Sequence, residues 1–542
     1  MTEILKMKNL QIEGFSDEGW VPIVKDIDLK LGKGEVLGLI GESGAGKSTI
    51  GLAAMAYTRR GCRISGGSIV FDDMELVGAS EKLLRKIRGT RIAYVAQSAA
   101  ASFNPAHRLI KQYAETPVQH GLMNFHEAQK KAVNIYRRLL LPDPERIGYR
   151  YPHQVSGGQL QRAMVAMAMA CEPDIIIFDE PTTALDVTTQ IEVLAAIKKI
   201  TREFNRAAIY ITHDLAVVAQ VADRIMVLRY GELVEENNVR EMLINPKDEY
   251  TRALLSVRTL REEKNLCASE KDVILEVAKV SASYTGKEKG LEDINLKIRR
   301  GRTVALVGES GSGKSTLARV ITGLLPPLQG EIIFDGKQLP PALKSRDRES
   351  LRRVQMIYQM PDTAVNPRHK VRKIIGRPLF FYFGMKGKEL EDRIHELLEM
   401  TELPDRYIER YPGQLSGGEK QRICIARALA AKADLIICDE VISALDQLVS
   451  EGILKLLQSL QNELRVSYLF ITHDLATVKA ISDEIVVMRQ GRIVEQGVKR
   501  EVLTPPHHEY TELLLSSVPE MDPDWLDGVL AERARKGNRA YH

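Results

Sequence analysis

Short uninterrupted apolar runs recur along the chain, each closed by glycine or by acid: "EVLGLIG" (Glu35 to Gly41), "DIIIFDE" (Asp174 to Glu180) and "IYITHDLA" (Ile209 to Ala216), then "TVALVG" (Thr303 to Gly308), "DLIICDE" (Asp434 to Glu440) and "LFITHDLA" (Leu469 to Ala476). They lack the in-out alternation of a half-exposed strand, so they predict parallel strands buried on both faces. Residues that follow such strands at their C-terminal edge face a ligand crevice. The run "AMVAMAMA" (Ala163 to Ala170) predicts instead a core-facing helix, because strong helix formers at that spacing need no other explanation.

Two of these strands feed the same nine-residue loop, "GESGAGKST" at Gly41 to Thr49 and "GESGSGKST" at Gly308 to Thr316. One G-x-x-x-x-G-K-S/T match arises by chance in a chain of this length on the order of 1–2% of the time, so two are not chance. Such a loop between strand and helix cradles a phosphate. Gly41, Gly44 and Gly46, and Gly308, Gly311 and Gly313, let backbone N–H groups approach phosphate oxygens. Lys47 or Lys314 neutralises the β/γ charge, and Ser48 or Ser315 offers a hydroxyl to Mg²⁺.

The repetition runs well beyond the loops. Lys47 to Lys314 is an offset of 267, Gln97 to Gln359 of 262, and Ser156 to Ser416, Asp179 to Asp439, His213 to His473 and Tyr250 to Tyr510 all of 260. The chain is therefore a duplicated domain, read as 1–256 and 273–518, with a charged joint at 257–272 and a tail at 519–542. The tail reads as a mobile end or a short packing helix.

Each half carries three further elements in the same order. Ser156, Gly157 and Gly158, or Ser416, Gly417 and Gly418, open a helix whose free N–H groups and dipole make a second anion-binding surface. Asp179 and Asp439 end buried strands where they orient a Mg²⁺ shell, and Glu180 and Glu440, one residue on, polarise an attacking water. His213 and His473 each lie 33 residues after that acid and suit a γ-phosphate contact. Gln97 and Gln359 each stand seven residues before an Asn-Pro turn, at the mouth of the site, where they report the phosphate to a neighbouring surface.

Composition removes other classes. A chain of 542 residues with 44% hydrophobic and 27% charged residues has room for two large cores, and a net charge of +4 spread along the sequence gives no reason to expect nucleic acid. Five cysteines, Cys62, Cys171, Cys267, Cys424 and Cys438, form no C-x-x-C and no His/Cys cluster, so neither disulfides nor zinc are expected. No signal-like N-terminus and no apolar run of about 18 residues occurs, so the chain is expected neither to cross a membrane nor to be exported.

In this order and twice over, these motifs resemble the ATP-binding cassette ATPases, across nearly the whole chain. "FDEPTTALDVTTQ", "SFNP", "NPKDEYTRALL" and "PPHHEYTELLL" resemble more narrowly the ATPase subunits of dipeptide, oligopeptide and nickel importers, here with both subunits fused. The resemblance implies an α/β fold of two tandem P-loop NTPase domains, each with a RecA-like parallel-sheet core, an antiparallel β subdomain and a helical signature subdomain. It implies two ATP sites, each shared between one phosphate loop and the opposite signature. Site one takes Lys47, Ser48, Thr49, Gln97, Asp179, Glu180 and His213, closed by Ser416, Gly417 and Gly418. Site two takes Lys314, Ser315, Thr316, Gln359, Asp439, Glu440 and His473, closed by Ser156, Gly157 and Gly158. Asp186 and Asp446 would cross between them, and Gln97 and Gln359 join the serines and aspartates around Mg²⁺. Tyr284, and Phe15 in the first half, are the candidates for stacking on adenine.

The implied partners are two transmembrane permease subunits, identical or different, with a periplasmic or extracellular substrate-binding protein behind them. The implied place is the cytoplasmic face of a bacterial inner membrane, one fused chain per transporter, since a tethered half is present at around millimolar effective concentration. Two departures from the family pattern stand out. Val441 replaces the proline found at Pro181, which suggests a slower second site. The cysteine cluster that holds an iron–sulfur centre in many relatives is missing after "EYT", so no cluster is expected. Two other soluble tandem cassettes remain open: one acting on the ribosome or translation factors, usually with a long charged linker, and one acting in enzyme assembly or activation, as in methyl-coenzyme M reductase reactivation or phosphonate breakdown.

Overall fold

The computed structural model describes residues 2–16, 19–183, 185–256, 272–284, 290–443 and 445–536. The chain divides into two units, Met1–Val257 with Pro519–His542, and Arg258–Val518. The expected joint at 257–272 lies, but for its last residue, outside the described residues, as does Cys267.

Each unit is built on a six-stranded sheet. In the first the strand order is Glu232–Asn238, Arg224–Arg229, Val36–Ile40, Ala207–Ile211, Ile175–Asp179, Ile92–Val95, all parallel except the first. The second repeats the order with Arg492–Val498, Glu484–Arg489, Thr303–Val307, Ser467–Ile471, Leu435–Asp439 and Val354–Ile357. The apolar runs read from the sequence are the central strands, and the strands Ile175–Asp179 and Leu435–Asp439 are buried at every position.

Alternation is present but points into two cores. Leu435 and Ile437 pack with the antiparallel strands Val273–Ala282 and Leu291–Arg299, whereas Ile436 and Cys438 pack with the helices Val371–Phe383, Gly387–Met400 and Gly417–Ala430. A strand with apolar cores on both faces has no position to spare for a polar residue. Each such side chain contributes about 1.5–3 kcal/mol of burial. The first unit repeats the arrangement, with Ile175 and Ile177 facing the sheet of Glu3–Ser16, Gly19–Gly32 and Cys62–Phe71.

This topology positions the site. Val36–Ile40, Ala207–Ile211 and Ile175–Asp179 are neighbours and parallel, so Gly41, Thr212–His213 and Asp179–Glu180 emerge side by side at one sheet edge.

The segment after the second unit's last helix, Glu509–Leu515, groups with the first unit. Its helix, Trp525–Lys536, lies against Val187–Glu203, and Leu526 is fully buried. Gln220, the C-cap of Leu215–Ala219, donates through Nε2 to Glu520 O at 2.8 Å and Asp522 O at 3.0 Å, and accepts from Leu526 N at 3.1 Å. Lys198 pairs with Asp527 at 2.9 Å and Arg240 with Asp524 at 2.7 Å. No helix among the described residues is long and apolar enough to cross a membrane.

Candidate functional site: two phosphate cradles

The loop after Val36–Ile40 turns through Gly41 (φ 152°), Gly44 (φ 84°) and Gly46 (φ 91°) into the helix Lys47–Ala53. Only glycine fits at its start, because a Cβ on Gly41 would sit 2.1 Å from Leu228 O, and one on Gly308 would sit 2.2 Å from Met488 O. The loop folds over its own lysine. Lys47 Nζ donates to Gly41 O at 2.7 Å and Glu42 O at 2.8 Å, and Lys314 Nζ to Gly308 O and Glu309 O at the same two distances. Both lysines are 6% exposed and their ammonium groups lie in the cradle, ready to exchange neutral carbonyls for phosphate oxygens.

Around each cradle stand the expected acids. Ser48 Oγ donates to Asp179 Oδ1 at 2.7 Å, and Ser315 Oγ to Asp439 Oδ1 at 3.0 Å. Glu180 and Glu440 adopt left-handed φ of 48° and 50°, an uncommon conformation outside glycine that clusters at functional sites. Glu180 Oε2 accepts from Gln97 Nε2 at 2.9 Å and from Thr183 Oγ1 at 3.0 Å, and Oε1 lies 3.3 Å from His213 Nδ1. Glu440 accepts from Gln359 Nε2 at 2.5 Å and lies 3.5 Å from His473 Nδ1. Thr183 has no twin here, since Ser443 Oγ donates to the Glu440 backbone carbonyl instead.

Burial opposes ionisation of Glu180, yet the hydrogen bond and charge of His213, with the charge of Lys47, hold its carboxyl below its ordinary value. Burial likewise works against His213 and is outweighed by Glu180, so the imidazole is raised. Glu440 and His473 behave alike. Each carboxylate is thus held in its charged form, and the imidazole beside it is drawn toward protonation.

The glycine-opened helices begin with reciprocal caps. Ser156 accepts from Gln159 N at 3.3 Å while Gln159 Oε1 accepts from Ser156 N at 3.2 Å, and Ser416 with Glu419 repeats the box. Ser156, Gly157, Ser416 and Gly417 are exposed in their own units, whereas Gly158 and Gly418 are buried against Thr189 and Val449. Asp186 and Asp446 cap the next helices.

The aromatics divide. Tyr284 Oη accepts from Arg319 at 2.7 Å, on the helix that follows the second cradle. Phe15 meets Trp20 edge-on at 5.4 Å and is 66% exposed. Leu5 pairs with Phe71 as Leu275 pairs with Phe334, so the register match of Tyr284 is Gly14, and Phe15 stands one place beyond it.

Three tyrosines join the site without having been singled out from sequence. Tyr250 Oη accepts from Glu42 N at 3.2 Å and Tyr510 Oη from Glu309 N at 2.9 Å, bracing each phosphate loop from the "EYT" helix. Their signal was their shared offset of 260. Tyr94 donates to Asp179 Oδ2 and has no counterpart in the second half, so the repeat concealed it.

Comparison with known proteins agrees with this geometry. The family model described as ABC transporter matches residues 24–183 and again 291–443, and that of the oligopeptide/dipeptide transporter C-terminal region matches 494–540. The chain belongs to the ABC transporter family. It is 37% identical to the glutathione import ATP-binding protein GsiA of Salmonella choleraesuis (strain SC-B67), over 96% of this chain and 90% of that protein, and equally so to GsiA of Escherichia coli O157:H7. An archaeal ribosome recycling factor, solved in complex with a ribosomal stalk protein, aligns with a TM-score of 0.60 over 88% of each chain at 20% identity, a likeness of fold alone. The cassettes are thus the ATP-hydrolysing subunit of a peptide-class importer, as the motifs implied, and the transport reading prevails over the ribosomal and enzyme-assembly ones.

Proposed function

We propose that this ATPase binds two ATP with Mg²⁺ and drives uptake of short peptides or peptide-like thiols, glutathione being the first to test, through two permease subunits at the inner face of the bacterial cytoplasmic membrane. The observation that carries it is the likeness to glutathione import ATP-binding proteins along 96% of the chain, both cassettes included.

The residues fit Mg²⁺. Among the described residues no three His, Cys, Asp or Glu groups cluster as a metal cage, while each cradle offers one hydroxyl and one carboxylate, the hard oxygen donors that take Mg²⁺ together with nucleotide phosphates. Ser48 and Asp179, or Ser315 and Asp439, would hold it, with Gln97 or Gln359 at the rim. Held there, the ion would supply charge neutralisation for the nucleotide phosphates.

Lys47 and Lys314 bind the phosphates, and Thr49 and Thr316 follow them on the cradle helix. Glu180 and Glu440 take the proton of the attacking water, their ionised state secured by His213 and His473, which reach toward the γ-phosphate. Family membership supports crossed sites, Ser416, Gly417 and Gly418 serving the first nucleotide and Ser156, Gly157 and Gly158 the second. Tyr284 is the adenine-facing aromatic of the second site, and Phe15 the weaker counterpart in the first. In the second cassette Tyr358, beside Gln359, lines a groove of about 420 Å³ with Pro378, Phe381 and Tyr382, a surface suited to a permease segment.

The test is reconstitution with the permease pair and binding protein in vesicles. Labelled glutathione or dipeptide should accumulate with ATP turnover, and Glu180→Gln with Glu440→Gln should abolish both while ATP stays bound. Full turnover in that double variant would remove the general-base assignment. Purification of the chain with ribosomes or a soluble enzyme, and no permease, would overturn the transport role.

A further inference from the structure

The two sets of site residues differ after the catalytic acid, at Pro181 and Thr183 against Val441 and Ser443, and beside the aspartate that ends Ile175–Asp179 or Leu435–Asp439. In the first cassette both carboxylate oxygens of Asp179 are engaged: Ser48 Oγ donates to Oδ1 at 2.7 Å, and Tyr94 donates to Oδ2. Tyr94 lies on the edge strand Ile92–Val95, where it pairs with Ile177, two residues before Asp179. The second cassette has Met356 at that place, pairing with Ile437, two residues before Asp439. A thioether has no proton to give. Among the described residues the one side-chain hydrogen bond to Asp439 comes from Ser315, at 3.0 Å.

The phenol has one proton to donate, and the strand pairing aims it at Asp179 Oδ2. Arg59 lies by the same hydroxyl, while the charges that act on Asp439 are those of Glu440, Lys314 and Arg319. A carboxylate held at its far oxygen presents its near one in a fixed direction, and partners of this kind orient metal ligands and raise metal affinity.

We propose that Tyr94 is a positioning residue for Asp179 and makes the two nucleotide sites unequal, the first holding its divalent cation and nucleotide more tightly than the second. This rests on the reading of Asp179 and Asp439 as the aspartates beside Mg²⁺.

Mn²⁺ in place of Mg²⁺ gives a direct readout. The full chain, saturated with a non-hydrolysable ATP analogue, is titrated with Mn²⁺ and the free ion followed by paramagnetic resonance. Two unequal affinities are expected. Tyr94→Phe should weaken the tighter one on the order of tenfold, leaving nucleotide affinity in EDTA and the melting temperature in place, and Met356→Tyr should strengthen the weaker one. Equal affinities in the unaltered chain, or no response to Tyr94→Phe, would overturn the proposal. So would a parallel loss of metal-free nucleotide binding and melting temperature in Tyr94→Phe, the mark of packing alone. Asp179→Asn separates the two readings. If it removes the tighter class while Tyr94→Phe changes nothing, Tyr94 has no such role and the site stands; if it leaves both classes intact, the site reading itself fails.

Discussion

Replacing Gln220 with leucine should release the C-terminal arm from the first cassette without unfolding the cassette. Gln220 is 2% exposed and binds the arm at three backbone points, Glu520 O, Asp522 O and Leu526 N. Leucine fills the space and satisfies none of them. A buried backbone group left without a partner costs about 1–3 kcal/mol. The two carbonyls can turn to water as the arm shifts, so the Leu526 amide remains to be counted, about 1–3 kcal/mol. On the favourable side stands the burial of Leu526, about 2 kcal/mol, and the Lys198–Asp527 pair at 2.9 Å. The loss is comparable to the apolar gain, so the docked state ceases to dominate. Hydrogen exchange of peptides spanning 520–536 should accelerate by more than tenfold, while the buried central strands keep their protection. Unchanged exchange in the arm would refute this arithmetic and show that Leu526 and its apolar neighbours suffice. At the constant offset of 260, the second cassette has Ala480 and Gln458 where the first has Gln220 and Lys198, so the receiving residues occur once.

Tyr250→Phe or Tyr510→Phe should raise the ATP concentration needed for half-maximal turnover severalfold through loss of the brace on the Glu42 or Glu309 amide, with stability measured by melting nearly unchanged. Glu235, 8% exposed, resists its own burial and is held below its ordinary value chiefly by the Lys247 and Asp248 amides. A depressed acid contributes stability that is complete above its unfolded pKa near 4.5 and is lost as pH falls through the lower folded value, so Glu235→Gln should flatten the melting temperature against pH below about 4.5. Val441→Pro should change turnover by less than about twofold, because Glu440 at φ 50° already matches Glu180 at 48°; a large rise would make the missing proline a brake on the second site. Lys47→Ala with Ser416→Arg should cost little more than the worse single change, whereas Lys47→Ala with Ser156→Arg should damage both sites, and equal losses would sink the crossed assignment.

What was readable in the sequence followed from the duplication. A cradle, an acid pair or a histidine that recurs at a fixed offset is under the same constraint twice, and the structure brings Lys47, Ser48, Asp179, Glu180, Gln97 and His213 around one sheet edge because three adjacent parallel strands end there. The positions that escaped are those where the halves differ or where the partner is distant. Tyr94 faces Met356 in any alignment of the halves, and its value appears only when strand pairing sets it beside Asp179. Phe15 is the converse case: the register of the outer strands matches Gly14 to Tyr284, one place before Phe15, and the aromatic beside Phe15 is Trp20 across the hairpin. The arm was legible in part: a short packing helix was one of its two readings and is what Trp525–Lys536 forms, but its seat, Gln220, lies 306 residues away from Leu526 in a helix cap that no local pattern connects to it. The same reasoning says where function differs between the cassettes. Residues that repeat build the common chemistry, so any inequality between the two sites must come from the unrepeated ones. Of these, Tyr94 is the one that touches an aspartate of the site itself.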